Sequence, residues 1–331
     1  MKGIRIFLSA IIVLSITFTS VFGISYKKTD KVTAKEEYKG ILTVWQVDGF
    51  EGGRGSRKQF LLKVARGYER ENQGVLVMVS DYTLDGVKEN FDKGIFPDLI
   101  SYSVGTAVTG CSEIRVDRRV SGGMVGGKIY ATAWARGGYV LIINPTLTKG
   151  EYEQKELQNV VISQGEYTQP LLALALGGYK VKDVCVMRPM DAYVRFVSGK
   201  TPYMVGTQRD IVRLETRGME VLSVPLEDYN DLYQYVSVTS TDAVKRLYSE
   251  RFVEYLLSDS VQNSLVDICM LSPYVDVIHQ NEHLNAMQKV KVNNTVSAFI
   301  DGQTIKQMQK DSMDVLTGNQ NALNKIKNLL V

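Results

Sequence analysis

Histidine occurs only twice in these 331 residues, no glutamate follows Glu282, and the three cysteines, Cys111, Cys185 and Cys269, are far apart. An odd count of three allows one disulfide at most, so no disulfide framework replaces a hydrophobic core. Cys185 and Cys269 stand in apolar runs (VCVM, ICML), where a cysteine is expected as a small buried hydrophobe and not as a nucleophile. The G-x-S-x-G elbow is missing and both histidines come late, which removes the usual signatures of nucleophilic catalysis. A net charge of +3 and a pI near 8.5 fall short of the basic footprint of nucleic-acid binders, so nucleic acid is discounted as a partner.

What is present is ordinary globular composition, 44% hydrophobic and 23% charged, enough for a sizeable core. The length is about twice a usual single domain, which favours two lobes. Lys2 and Arg5 precede an uncharged apolar run, Ile6 to Phe22, and a polar, lysine-bearing stretch follows. That is an export signal, either cleaved or kept as an anchor. The expected organisation is a signal peptide or membrane anchor over 1–23, a tether over 24–39, a first lobe over 40–144, a second lobe over 145–280 and a C-terminal helical segment over 281–331. The protein is then extracytoplasmic, secreted or tethered to the outer face of the membrane, and monomeric.

Hydrophobic spacing places a strand at Ile41 to Val47, a helix at Ser56 to Asn72, strands at Val75 to Val79 and Asp98 to Tyr102, and a helix from Leu84 to Lys93 between them. This βαβαβ order implies a parallel sheet with right-handed crossovers, an α/β fold whose ligands bind beyond the carboxyl ends of the strands. Those ends carry Asp48 and Glu51, Asp81 and Tyr82, Tyr102 and Ser103. Further on, Ile129 to Ala135 and Tyr139 to Ile143 read as strands joined by Arg136-Gly137-Gly138, and Asn144-Pro145 marks the lobe boundary. Helices follow at Gln169 to Leu176 and Pro189 to Val197, each with an early proline and a closing glycine. Thr207 with Asp210 three residues on makes a capping box, strands fall at Met219 to Val224 and Tyr233 to Thr239, and a helix starts near Asp242.

Two stretches suggest chemistry. The loop DGFEGGRGSR, Asp48 to Arg57, lacks the lysine-serine or lysine-threonine of a phosphate loop and ends on Lys58 where a dinucleotide fingerprint needs glycine. It either offers amides to an oxygen at the helix start or is a tight turn with Arg54 and Arg57 in water. His279-Gln280-Asn281-Glu282-His283 fits H-x-x-E-H, in which two histidines one helical turn apart hold zinc and the glutamate activates water. With no third histidine, and a five-residue pattern that chance supplies easily, an exposed helical turn is the alternative. No cofactor is expected.

Several stretches, in order, resemble the extracellular solute-binding proteins of bacterial ABC importers of the carbohydrate type: LTVWQVDGFEGG, GIFPDLISYS, GGKIYATAWARGGYVLIIN, FVSGKTPYMVGTQRD, and FVEYLLSDSVQNSL with MLSP soon after. The resemblance covers about residues 40 to 280. It implies a two-lobe, periplasmic-binding-like clamshell that closes on a solute, most simply a sugar, and presents it to a membrane permease. Lipid-anchored members carry a cysteine after the apolar run, whereas here none precedes Cys111. A sugar offers a flat C–H face to aromatic rings and hydroxyls to polar side chains. Trp45, Tyr82, Tyr102, Trp134 and Tyr139 are therefore candidate stacking rings, and Asp48, Glu51, Arg54, Arg136, Gln208 and Arg209 candidate hydrogen-bonding groups. Arg136, between glycines, is expected to reach the cleft, Trp134 to stack on the solute, and the hinge to lie near Asn144 to Thr146 and Val224 to Asp228. The arginines leave an acidic sugar open. The rival readings are a zinc hydrolase and a sensory or structural clamshell that has lost uptake.

Overall fold

The computed structural model describes residues 38–149 and 155–331, which form one compact unit; the expected export signal and nearly all of the expected tether lie outside the described residues. Strand β1 (Gly40–Val47) leads through a loop into helix α1 (Arg57–Glu71), capped by Ser56, whose Oγ accepts from the Gln59 amide. Strand β2 (Val75–Tyr82), helix α2 (Leu84–Asp92, capped by Thr83) and strand β3 (Leu99–Tyr102) complete the expected βαβαβ run. A small hairpin, β4 (Met124–Val125) with β5 (Lys128–Ile129), follows; it turns on Gly126 and Gly127, both at positive φ, where only glycine is unstrained.

β6 (Thr132–Arg136) and β7 (Tyr139–Ile143) come next, separated by two glycines, and part into different sheets. The first sheet has the order β2-β1-β3-β12-β6, where β12 is Tyr233–Val238 and pairs antiparallel to both neighbours. The second has the order β11-β7-β10-β8-β9, built from β8 (Glu156–Ser163), β9 (Lys180–Met187), β10 (Tyr203–Thr207) and β11 (Leu222–Pro225). β8, β9 and β10 are parallel, while β7 and β11 are antiparallel partners at one side. Each sheet thus has a parallel centre and helices against it, a periplasmic-binding-like arrangement.

Because Tyr139–Ile143 pairs with Tyr203–Thr207 and Leu222–Pro225, it belongs with the second sheet and not with the first lobe. The chain crosses between sheets at Gly137-Gly138, not at Asn144, whose side chain instead caps the short helix α3 (Pro145–Thr148) at the far end of β7. It crosses back between Pro225 and Tyr233, where the second expected hinge lay.

The second sheet is flanked by α4 (Pro170–Leu176), α5 (Pro189–Val197) and α6 (Gln208–Arg217). The first proline of α4 and α5 sits where a missing N–H costs nothing, and Thr207 with Asp210 makes the expected capping box of α6. Phe196, Met204, Ile211 and Leu214 pack there with Leu284 and Met287 of α9 (Glu282–Lys289). On the first sheet, Tyr68 of α1 donates its hydroxyl to the Tyr248 carbonyl of α7 (Ala243–Leu256), beside Phe252. Short α8 (Asp259–Asn263) follows α7, and its Gln262 donates to the Trp134 carbonyl on edge strand β6. Two terminal helices, α10 (Gly302–Leu316) and α11 (Gln320–Lys327), are separated at Gly318, and α10 packs on α4. Strands β1 and β2 leave Ile41, Leu76 and Met78 exposed. The cysteines are all free and half-buried, so Cys185 and Cys269 are less enclosed than their apolar runs implied.

Asp231 lies fully buried in the return crossing, accepting from the Tyr139 hydroxyl at 2.6 Å, with Tyr229 beside it. Burial pushes its carboxyl up to about 7, against the hydroxyl bonds that favour the anion; burial likewise raises Asp210 of α6 to about 6. A carboxyl raised in the folded state supports stability fully below its unfolded pKa, near 3.8, and that support is lost as pH rises through the folded value. Denaturant unfolding from pH 4 to pH 8 should therefore show stability falling with pH, most steeply between the unfolded and folded values and levelling off above about 7. Asp231→Asn should flatten that slope and gain on wild type as pH rises. Parallel curves for the two proteins would contradict the assignment.

Candidate functional site

The loop after β1 folds mainly around Arg57. Its guanidinium is buried over the Phe50 ring, 4.4 Å from the centroid, donates to the Phe50 carbonyl and pairs with Asp48 at 2.7 Å. Burial lowers the Arg57 pKa and Asp48 opposes that shift. Asp48 also accepts from Gln46 Nε2 at 2.7 Å. The Gly53 backbone presses so closely on the Ile268 and Cys269 carbonyls that a Cβ there would overlap them, and the Arg54 amide donates to Ile268 at 2.6 Å. Its other contacts are with α6. Glu51 takes both amino groups of Arg213, at 2.7 and 3.0 Å, Arg209 donates to the Gly53 carbonyl, and Gln208 Nε2 donates to the Glu51 carbonyl at 3.2 Å. Gln208 Oε1 meanwhile accepts from the Gly138 amide at the crossing, at 3.0 Å. The loop is therefore a strap between the two sheets. Glu51, Gln208 and Arg209 spend their bonds on each other's segments, and Arg54 alone among the expected polar groups projects its side chain freely outward.

The rings divide similarly. Trp134 has no exposed surface: it stacks on Phe60, centroids 5.5 Å apart, and donates from Nε1 to Ser101 Oγ at 2.8 Å. Tyr102 is fully buried with its hydroxyl on Ser237, and Tyr139 is held between Asp231 and the Gln169 amide. Trp45 is 6% exposed and stacks on Tyr82 at 4.2 Å, leaving Tyr82 the one half-buried ring of the five. Arg136, 5% exposed, turns away from solvent to donate to the Met287 and Gln288 carbonyls at the end of α9 and to Ser272. An arginine closing the last carbonyls of a helix is a C-terminal cap, so the expectation of a free guanidinium in the cleft is corrected.

The H-x-x-E-H reading fails on geometry. Helix α9 begins at Glu282 behind its cap Asn281, so His279 precedes the helix and the two rings do not share one face. His279 is buried, its backbone exchanging bonds with Asn285, while His283 Nδ1 meets Ser223 Oγ at 2.7 Å. Among the described residues no group of three His, Cys, Asp or Glu side chains is placed to hold a metal ion.

What the structure does bring together lies at the carboxyl ends of β8 and β9. A cavity of about 820 Å³ is walled by Gln164 to Glu166, Leu171, Val186, Arg188 and Pro189, and closed by Lys306, Gln309 and Met313 of α10. Gln309 Nε2 holds the Gly165, Glu166 and Thr168 carbonyls, and Lys306 pairs with Glu166 at 2.8 Å, which lowers the carboxyl pKa and raises that of the lysine. The first sheet reaches the same place: the Tyr167 ring packs on Gly105, just past β3, and a Cβ there would stand 3.0 Å from it. The Gly105 amide donates to Ile300, and Asp85 at the start of α2 acts on both Tyr167 and Lys306. Sequence reasoning passed over this segment. The signal available was QGEYTQP, a polar turn between an apolar run and a proline-led helix.

No protein-family model matches the chain, and no curated protein does at the level of sequence. Solved structures do. The GacH receptor of Streptomyces glaucescens, described unliganded and with acarbose, aligns at a TM-score of 0.57 and 15% identity over 88% of this chain and 98% of its own. An extracellular solute-binding protein from Staphylococcus aureus in complex with maltose gives 0.60 and 15% over 88% and 96%. The sugar-binding protein MalE from Xanthomonas citri gives 0.62 and 14% over 88% and 95%. The chain therefore has the fold of extracellular solute-binding proteins of sugars over most of its length.

The strap is open to direct measurement. Glu51 and Arg213 are part-exposed, so a double-mutant cycle with Glu51→Gln and Arg213→Gln in urea should give a coupling of about 0.5–1 kcal/mol that shrinks with salt. Strict additivity would mean that the pair does not hold the strap. Arg136→Ala should act on folding, costing about 1–3 kcal/mol through unsatisfied carbonyls of α9.

Proposed function

We propose that this is an extracytoplasmic binding protein that captures a carbohydrate or related polar solute between its two sheets and delivers it to an ABC-type permease. It is a binding protein and not an enzyme in this reading, exported by its N-terminal segment and monomeric. The observation that carries the proposal is the cavity at the carboxyl ends of β8 and β9, beside the contact of Tyr167 with Gly105, in a fold shared with proteins solved with maltose or acarbose. Open α/β sheets hold their ligands at such edges, and the volume falls in the range of small-molecule pockets. Lobe movement would take place about Gly137-Gly138 and the return segment Leu226 to Leu232, with Tyr167 against Gly105 as the contact that opens and closes. Of the five candidate rings only Tyr82 is half-buried; Glu166 on the cavity wall is the acceptor for a sugar hydroxyl, and Tyr167, outside that set, is the ring next to it.

A thermal-shift screen against mono- and oligosaccharides tests this. A saccharide at 100 times its Kd should stabilise the protein by about 2.7 kcal/mol. Glu166→Gln and Tyr167→Ala should each weaken binding about tenfold, the scale of one charge-assisted or aromatic contact. The buried tryptophans should leave the emission spectrum nearly unchanged on binding. A screen without any shift, or full affinity in both variants, would overturn the proposal.

A further inference from the structure

The charges around the cavity are uneven. Three cationic side chains line it, Arg188, Lys306 and Lys310, against one acid, Glu166. Lys306 is committed to Glu166. Arg188 stands at the carboxyl end of β9, ahead of α5, without a side-chain bond to that helix, and Lys310 lies one turn after Lys306 on α10. Neither side chain has a hydrogen bond or ion pair among the described residues. The wall also carries an unused acceptor, since Gln164 Oε1 is buried with no hydrogen-bond partner. Leu171, Val186, Pro189 and Met313 supply the rest of the lining with Gln309 and Gly165, and no aromatic ring is among the lining residues.

A neutral sugar would find little to stack on in such a cavity and would leave two of its lining cations unpaired. A buried orphan acceptor calls for a donor, because an unsatisfied polar atom costs free energy. Unpaired cations at an apolar wall call for an anion, and the planar fork of arginine matches carboxylate or sulfate. We infer that the solute is an acidic sugar, a uronate or a sulfated saccharide, whose anionic group lies between Arg188 and Lys310 and whose hydroxyl donates to Gln164. This rests on the cavity being the solute site, and names the class of solute it takes.

Calorimetry with a galacturonate trimer, its methyl ester, a sulfated disaccharide and citrate distinguishes the possibilities. At low salt the acid should bind about tenfold or more tighter than its uncharged ester, a gap that narrows at high salt. Arg188→Gln and Lys310→Gln, both at exposed positions, should each remove most of that preference while leaving the ester's affinity alone. Gln164→Leu should weaken acid and ester together. Preference for the sulfated disaccharide over the uronate would identify sulfate as the anion. Equal binding of acid and ester, or an acid affinity unmoved in Arg188→Gln and Lys310→Gln, overturns the inference while the carbohydrate reading stands. Binding of citrate with no saccharide binding retains the anion site and ends the carbohydrate reading, and binding of none of the four ends both.

Discussion

A single buried amide joins the parts of this fold that most need joining. Gln208, the first residue of α6, receives the Gly138 amide at the crossing between sheets and gives a hydrogen to the Glu51 carbonyl in the loop after β1. Gly137 makes the geometry possible: a Cβ there would stand 2.6 Å from Gln208 Oε1, so any larger residue would push the amide away. Loss of the side chain would strand a buried donor and acceptor, each worth about 1–3 kcal/mol. Arg213 and Arg209, one turn and one residue along the same helix, add the bonds to Glu51 and Gly53 that turn the loop into a strap.

This constraint divides the space between the sheets. On the side of β1 and α6 the carboxyl edges are bonded directly to each other, and polar residues that a solute would need are already satisfied. On the side of β8 and β9 a cavity lies between the second sheet's edge and α10, and the Tyr167 ring beside it packs on Gly105 of the first sheet. A pair of glycines and a strap tie the sheets on one side, which in the proposed reading is the pivot, with the ligand entering on the other. Arg136 supports the pivot by holding the end of α9, which brings Leu284 and Met287 into the core of the second sheet.

Much of the fold was legible because local chemistry announced it. Ser56, Thr207 with Asp210, and Asp242 cap the helices expected after them, and Tyr139–Ile143 was read to the residue. Its sheet was not legible, since its partners lie some sixty and eighty residues onward and no local pattern reports pairing. β8 and β9 went unread for a different reason. ELQNVVIS is polar in its first half, and KVKDVCVM is a charged, half-exposed edge strand, so neither has the apolar run of a central parallel strand. With them went the Gln164 to Tyr167 turn. The site residues expected at the ends of β1 and β6 do lie at the carboxyl ends of their strands, but such a position does not say whether a side chain meets a solute or the opposite sheet. Trp134 illustrates this: its strand is at a sheet edge, yet Phe60 covers its ring and Gln262 its carbonyl.

Hydrogen exchange followed by mass spectrometry, with and without a saturating solute, tests the division most directly. If the strap is the pivot and the cavity the site, peptides spanning Gln164 to Leu171 and Lys306 to Met313 should gain protection on binding, and the already bonded loop Asp48 to Arg57 should change little. Protection concentrated in Asp48 to Arg57, with none at Gln164 to Leu171, would place the solute at the strap and contradict the account.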